Sequence, residues 1–397
     1  MPKIYPFRAL RPRADSVEKV TAKSTDYPKK EDLIEEIRTN PLTFHHVTKS
    51  HLSYSGAFQD PEKFLPFAAK YISDMKERGV LIKEQEEAFY IYKQVRPDGK
   101  TFVGLIALCS VDDYKANKIK KHEEIRPSRL KFLIELFKTT KVMGEPTLLA
   151  HNGSVPLDTK EAEQIYSFKT QDGKLHTVYK VGSASQQEQI SQALCDIDHL
   201  YIADGHHRSA STAEFNKKVS RLENDKSMCC IMNEKDLEIL PFHRLIKPIV
   251  PLATDEIITS LSQSFKVTKS ENSLYSICSK NEFGLYVSKQ WYRLELKSES
   301  DLPDVQILED LVVRAIFNIA DSRTDSQINF HPHTAGEKAL EELVDEDSYS
   351  FAITMKAADF SEVRNVADDD NTMPPKSTYI EPKLRAGLII QEFELIK

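Results

Sequence analysis

Glycine is scarce in this 397-residue sequence: there are 12, and no two stand two positions apart. That removes the G-x-G turn with which dinucleotide folds and kinase glycine loops approach phosphate. Gly99 and Gly104 have the spacing of a P-loop, but Leu105 stands where its lysine must be, and the pair flanks a strand-like run. Cysteine is also sparse, with five residues, an odd number, and no C-x-x-C pair. No disulfide framework is expected, and the adjacent Cys229 and Cys230 read as buried thiols on opposite faces of a strand. No run approaches the roughly 18 to 20 apolar residues needed to cross a bilayer. The opening segment, MPKIYPFRALRPRADSVEK, lacks the apolar core of a secretory signal. A cytoplasmic protein without a membrane partner is the expectation. Basic charge is not in excess either: 54 Lys and Arg stand against 61 Asp and Glu, a net of -7, which argues against nucleic acid as partner.

What remains is ordinary globular material, 40% hydrophobic and 29% charged, long enough for two or three domains. EDLIEEIRT (31–39) and PFAAKYISDMKER (66–78) have helical spacing, and Gly79 can close the second. AFYIYKQV (88–95) and TFVGLIALCSV (101–111) flank a Pro-Asp-Gly signal and predict a hairpin. In SRLKFLIELFKTT (128–140), Leu130, Leu133, Ile134 and Phe137 fill the i, i+3, i+4, i+7 template of a helix with one buried face. TLLAH (147–151) and HTVYKV (176–181) predict strands around a polar insert, and SASQQEQISQALC (183–195) a helix. HLYIADG (199–205) predicts a buried strand running straight into a helix over 207–218. Beyond it, SMCCIMN, LEILPFHRLI, GLYVSK, WYRLEL and YSFAITM predict strands, with helices near 253–264, 304–319 and 335–344. The fold class is α/β, of the mixed α+β kind. Three regions are expected: 1–112, helical with a hairpin; 113–218; and a mixed α/β region over 219–397.

The sharpest local feature is YIADGHHRSAS (201–211). A strand meets Gly205, then His206, His207 and Arg208 fall in the first turn of a helix. Those first N–H groups lack intrahelical acceptors, and the helix dipole favours an anion there. Gly205 permits close approach to the backbone, Arg208 adds a forked cation, and the histidines add donors. Asp204 at the strand end suits a magnesium ion or a substrate hydroxyl. The structural alternative is an ordinary strand–helix junction, and buried unpaired charge argues against it. Zinc is the other alternative, but adjacent helical histidines diverge by about 100° and no further ligand cluster is present.

A second feature is KHEEIRPSRLKFLIELFK (121–138), where His122-Glu123-Glu124 precedes a proline-started helix. Such a glutamate can serve as a general base, or it can simply complement the helix dipole. The segment TMPPKSTYIEPK (372–383) offers Lys376, Ser377, Thr378 and Lys383 as a substrate loop or as solvated surface. Arg244, after the strand-like LEILPF, is a further cation. His331 and His333 read as loop residues, and FHHVTKSH (44–51) as part structural and part site wall.

HEEIRPSRLKFLIELFK followed by strands and then YIADGHHRSAS resembles the ParB/sulfiredoxin superfamily, in which a loop–helix box precedes a strand–Gly-x-x-Arg–helix box. Among its members the sequence is most similar to the free serine kinases, matched here by His122-Glu123 and by Asp204-Gly205-His206-His207-Arg208. PFRALRP (6–12), NPLTFHHVTKS (40–50), GLIALCSVDDY (104–114), LPFHRLI (240–246) and MPPKSTYIEPKLRAGL (373–388) resemble a large bacterial and archaeal family catalogued as a domain of unknown function. The interval from 123 to 204 is longer than in a compact ParB-like core.

The resemblance implies a ParB-like nucleotide-binding core over 113–218. Gly205, His206, His207 and Arg208 would hold the phosphates of ATP or ADP, bridged by Mg2+. Glu123 would take the proton from the hydroxyl of L-serine, with Asp204 orienting hydroxyl or metal, and O-phospho-L-serine would form. His122, Arg244, Lys376, Ser377 and Thr378 would bind the amino acid. The rivals are a nucleotide-dependent ParB-like binding protein, a sulfiredoxin-like enzyme and a phosphohydrolase using the same pocket. The first needs a helix-turn-helix where this sequence is strand-rich, and the second needs a cysteine within 201–218, where none occurs.

Overall fold

A computed structural model describes residues 1–23, 30–54, 60–218 and 225–393. The chain packs as two compact units, Met1–Leu237 with Pro382–Lys397, and Glu238–Glu381. Both are mixed α/β.

The first unit is built on a nine-stranded sheet. Its strands are Ile4–Tyr5 (β1), Phe89–Val95 (β2), Thr101–Ser110 (β3), Ile119–Lys120 (β4), Thr147–His151 (β5), Glu163–Lys169 (β6), Leu175–Val181 (β7), Leu200–Asp204 (β8) and Lys226–Asn233 (β9). They lie in the order β6-β7-β2-β3-β9-β5-β8-β4, with β1 on the side of β3. The Pro-Asp-Gly signal does close the β2–β3 hairpin, with Gly99 at φ +88° and its N–H donating to Arg96 O at 3.0 Å. The polar insert after β5 contains β6, which the sequence pattern did not predict; it pairs with β7 and widens the sheet edge.

This pairing crosses the sequential division at 112 and 218. Strands β2 and β3 share a sheet with β5 and β8, and β9, from beyond residue 218, lies between β3 and β5. The last segment also returns to the first unit: Gln391 Oε1 accepts the Met228 N–H of β9 at 2.8 Å. Cys229 and Cys230 are fully buried in β9, and burial pushes both thiols well up.

Four helices of this unit matter for the site: Pro61–Glu77 (α1), Pro127–Thr140 (α2), Ala184–Cys195 (α3) and His206–Lys218 (α4). Helix α2 starts on a proline, whose missing N–H would be unsatisfied there in any residue. It buries more than the single stripe expected: Phe132 and Leu136 are as covered as Leu133, Ile134 and Phe137. The reason is tertiary, since Phe132 meets Phe64 of α1 at 6.2 Å between centroids and Phe137 meets Phe215 of α4 at 6.3 Å. Phe393 closes that second contact, 5.1 Å from Phe215 and 5.4 Å from Phe137.

The core between sheet and helices gathers Phe89, Ile91, Leu105, Leu149, Ile190 and Ile202. Strand β8 is buried along its length up to Ala203. Its pairing with β5 shifts register between Ile202 and Asp204. A bulge re-aims the side chain that follows it, and here that side chain is Asp204, directly before the turn into α4.

The second unit holds a six-stranded sheet in the order Phe265–Ser270, Gln290–Leu296, Glu282–Val287, Phe351–Met355, Phe242–Ile246, Ile328–Pro332. Helices Thr254–Ser264, Glu337–Asp345 and Phe360–Asp368 accompany it, and the 304–319 pattern forms one α-helical turn followed by a π-helix over Glu309–Arg314. Phe265–Ser270 and Ile328–Pro332 were not expected as strands. His331 is accordingly a buried strand residue and not a loop residue.

Because Ile202 is fully buried in β8, Ile202→Ala is expected to cost about 2–5 kcal/mol. Urea unfolding of the intact chain followed by circular dichroism would measure it, and a loss under about 1 kcal/mol would contradict this account of the core.

Candidate functional site

The start of α4 and the loop before α2 meet face to face. Gly205 takes φ +100°, a region that L-residues avoid, and turns the chain from β8 into the helix. Gly205 O accepts the Arg208 N–H at 2.8 Å and the Ser209 N–H at 3.2 Å. The first turn therefore spends the Arg208 amide internally. That narrows the expected cradle of residues 205–208 to the amides of 205–207, which precede the first helical acceptors.

Both histidines accept at Nε2, where donors to a ligand were expected. The His122 N–H donates to His206 Nε2 at 3.4 Å, and the Arg126 N–H donates to His207 Nε2 at 3.0 Å. Rings that accept at Nε2 carry their proton at Nδ1 and are neutral. Two consecutive side chains of α4 thus latch the 122–126 loop onto the helix start. In this tautomer His206 presents its Nδ1 proton to Glu123 Oε2, 3.3 Å away. The His122 and His206 rings meet edge to face at 4.4 Å.

Electrostatics follow from that packing. Burial drives His122 down to about 3, with the His206 ring adding to the shift, and burial drives His207 down to about 4. Burial would raise the Glu123 carboxyl, but His206 and then His122 and His207 hold it down to about 2. Glu123 is therefore ionised at neutral pH, and its side chain is 45% exposed, open to an incoming molecule.

Arg208 sits between two carboxylates. Its Nη2 donates to Asp204 Oδ2 at 2.8 Å, and its Nη1 pairs with Glu145. Lys383 Nζ stands 3.7 Å from the other oxygen of Asp204. Burial pushes the Asp204 carboxyl upward, yet Lys383 and Arg208 together hold it well below the ordinary range. Arg208 Nε is buried and has no hydrogen-bond partner. It hangs over the turn: a Cβ added to Gly205 would come within 2.7 Å of it. Glycine at 205 thus makes room first for the protein's own guanidinium.

The structure brings His122, Glu123, Asp204, Gly205, His206, His207 and Arg208 together in the first unit. Arg244, Lys376, Ser377 and Thr378 belong to the second. Arg244 does not suit the expected recognition of a substrate carboxylate. It is 1% exposed, spends Nη1 on Phe242 O (2.8 Å) and Lys376 O (3.3 Å), and lies 4.7 Å over the Phe330 ring. It fastens the 374–377 loop to its strand. Ser377 Oγ donates within that loop to Pro374 O at 2.5 Å, Lys376 Nζ lies 5.0 Å over the Phe242 ring, and Thr378 is half-buried.

Glu145 escaped sequence reasoning because a single charged residue outside a motif carries no local signal. Lys383 was visible only as one lysine of a longer segment. Among the described residues no group of three or more His, Cys, Asp or Glu side chains is arranged to hold a metal ion, and no helix is long and apolar enough to cross a membrane.

Residues 4–316 match the model of a family described as a protein of unknown function (DUF1015). No curated protein matches the sequence. Among solved structures, the chain is similar to a mutant free serine kinase in complex with ADP, at 14% identity and TM-score 0.41 over 73% of this chain and 92% of that one. It is similar to a free serine kinase in complex with AMP at 15% identity and TM-score 0.37, over 73% and 92%. A third likeness is to SbnI with a C-terminal truncation from Staphylococcus aureus, at 12% identity and TM-score 0.38 over 71% and 84%.

The low-lying buried histidine has a consequence for stability. An unfolded histidine titrates near 6.5, whereas folded His122 does so at about 3. Its contribution is complete above pH 6.5 and falls as acid protonates the unfolded chain, by about 1.4 kcal/mol per pH unit. Replacing His122 by Gln should shrink the drop in urea-derived stability between pH 7 and pH 5 by about 2 kcal/mol. An unchanged drop would mean that His122 is not neutral in the fold.

Proposed function

The chain belongs to the DUF1015 family, and on that footing we propose that this member is a small-molecule kinase that transfers the terminal phosphoryl group of ATP or ADP to the hydroxyl of free L-serine. The observation that carries this reading is Arg208 Nε, a buried cationic donor without a partner, suspended over the helix start while an ionised Glu123 stands beside His206. A buried donor left unsatisfied costs about 1–3 kcal/mol, and a phosphate oxygen on the 205–207 turn would remove that cost.

The chemistry asks for little else. Phosphoryl transfer is mainly in-line positioning and charge stabilisation. The serine hydroxyl oxygen forms a bond to the terminal phosphorus as its proton passes to Glu123 Oε, and the bond to the bridging oxygen breaks, leaving the shortened nucleotide. Charge developing on the transferred group meets Arg208, with Lys383 on the far side of Asp204. A carboxylate held near 2 is a weak base in the resting protein, but a metaphosphate-like transition state requires only late proton acceptance. The negative charge of a bound nucleotide also raises the proton affinity of a nearby carboxylate.

Magnesium fits this set of groups modestly. Asp204 Oδ2 is engaged by Arg208, while Oδ1 has Lys383 only at ion-pair distance. One hard oxygen suits an ion that takes its other ligands from phosphate and water. When bound, Mg2+ would neutralise phosphate charge, and Asp204 Oδ1 is the atom that would hold it.

Phosphorus NMR of the intact protein with Mg-ATP or Mg-ADP and a panel of small alcohols tests the proposal. O-phospho-L-serine should accumulate, and Glu123→Gln should slow its formation by roughly 10²–10⁴-fold while nucleotide still binds. Inorganic phosphate released equally with and without serine would identify a phosphohydrolase instead. Undiminished transfer by Glu123→Gln would remove that residue as the base.

A further inference from the structure

Three histidines of the second unit take no part in the proposed reaction. His243 and His331 stand opposite each other where Phe242–Ile246 pairs with Ile328–Pro332. The chain then turns through His333–Ala335 into Gly336, which takes φ +91°. His243 Nε2 lies 3.1 Å from His333 Nδ1, and His331 Nε2 lies 3.1 Å from Gly336 O. The Tyr275 ring stacks on His333 and meets His243 edge to face, both with centroids 4.7 Å apart. Its hydroxyl donates to His333 O at 2.7 Å, and the His333 N–H donates to Pro241 O at 3.1 Å. The 333–336 turn is thus fastened to the end of this strand pair by titratable side chains and one backbone bond.

The surroundings fix the proton count on these rings. Gly336 O can only accept, so His331 carries a proton at Nε2. One proton lies between His243 Nε2 and His333 Nδ1, since two bare nitrogens or two N–H groups there would repel. His243 is fully buried and its Nδ1 has no partner. The proton between the rings therefore belongs to His243 Nε2, because a buried N–H at Nδ1 would be unsatisfied. His333 accepts it. A further proton on this pair would put an N–H on the orphaned Nδ1, whichever ring held the one in the middle. Nothing nearby offsets the charge: among the described residues no carboxylate stands at ion-pair distance from the three rings. Arg244 bears on His243 with positive charge, and Glu337 bears on Tyr275. Burial, then His333, His331 and Arg244, hold the His243 ring well below its ordinary value. Burial lowers His333 and His331 as well, with the Gly336 carbonyl opposing it at His331.

From this geometry we propose that the His243–His333 contact is a latch that acid opens: on protonation the 333–336 turn and the Tyr275 ring leave the strand end, while the six-stranded sheet stays folded. The rest of the sheet has its own anchors. Thr354 Oγ1 donates to Leu274 O at 2.5 Å, and Leu245, Leu274, Trp291, Leu340 and Ala352 pack in one apolar core. Local opening breaks only the few contacts of the turn. The sign follows from linkage. A freed imidazole titrates near 6.5, whereas the closed pair takes up protons only well below that. The latch is therefore shut above pH 6.5. Its opening constant rises as pH falls below that value, by up to about tenfold per unit for each ring released. This device is independent of the reaction assigned to the first unit.

Hydrogen exchange of the intact protein, read on the amides of His333 and Gly336 and corrected for intrinsic rates, tests the latch. Their protection should fall roughly 10–100-fold between pH 7.5 and pH 5.5, while that of Leu285 and Ile353 in the same sheet changes less than about threefold. His333→Gln keeps an acceptor that does not titrate, and should flatten the change at Gly336 to under about threefold. His199→Gln, at an exposed position of the first unit, should leave the change intact. Nitrogen-15 NMR of the histidine-labelled wild type needs no variant that folds: at pH 7.5 His243 should be neutral with its proton at Nε2. A His243 proton at Nδ1, or protection at 333 and 336 that does not depend on pH, would overturn the proposal. Equal loss of protection across the whole sheet would mark global acid unfolding and overturn it too. Retained pH dependence in His333→Gln would remove this pair as the latch.

Discussion

Two imidazole rings accepting two backbone N–H groups hold the candidate site in one piece. His206 and His207 reach from the first turn of α4 to the amides of His122 and Arg126. The β4–β8 pairing and the α2–α4 packing already fix the two ends of the loop before α2, and the latches set its middle, with Glu123, against the helix start. An accepting imidazole must be neutral, so the same bonds that position Glu123 also keep positive charge off the rings. The permanent cations of the cluster are Arg208 and Lys383, each paired with a carboxylate.

Burial makes that charge arrangement consequential. Asp204, Arg208, Glu145 and Lys383 alternate in sign across the base of the site. Charges withdrawn from water persist when they are paired and hydrogen-bonded, and the alternation supplies the pairing. One donor, Arg208 Nε, is left over. A buried donor without a partner calls for an acceptor, which a ligand or a water can supply. The bulge in β8 and the positive φ of Gly205 contribute to the same end, because together they aim Asp204 and Arg208 at each other across a single turn.

The sheet gives these parts their rigidity. Strand β8 brings Asp204 up from a buried row between β5 and β4, and Thr147 of β5 meets Ser209 of α4 at 3.0 Å to tie strand and helix together. The C-terminal segment then crosses back over this unit. It delivers Lys383 to Asp204, Gly387 to the Phe44 ring and Phe393 to the α2–α4 contact. A chain that left the first unit at residue 237 and never returned would lack a cation, the Gly387 contact of Phe44 and a core aromatic at once.

Much of this was legible in the order of residues. Periodicity marked α2, the Pro-Asp-Gly turn marked the β2–β3 hairpin, and Asp-Gly-His-His-Arg marked a strand–helix turn, because those are local consequences of backbone geometry. The sequence also determined that no disulfide framework or glycine-rich phosphate loop would be available. Partners distant along the chain lay beyond it. That His206 and His207 would accept backbone N–H groups at Nε2, that Arg244 would turn inward to backbone carbonyls, and that Glu145 and Lys383 would flank the Arg208–Asp204 pair were decided by tertiary packing. The physical reason is one of range: a residue's propensity and spacing act over a few neighbours, while its protonation, its partner and its exposure are set by whichever distant segment the fold brings against it.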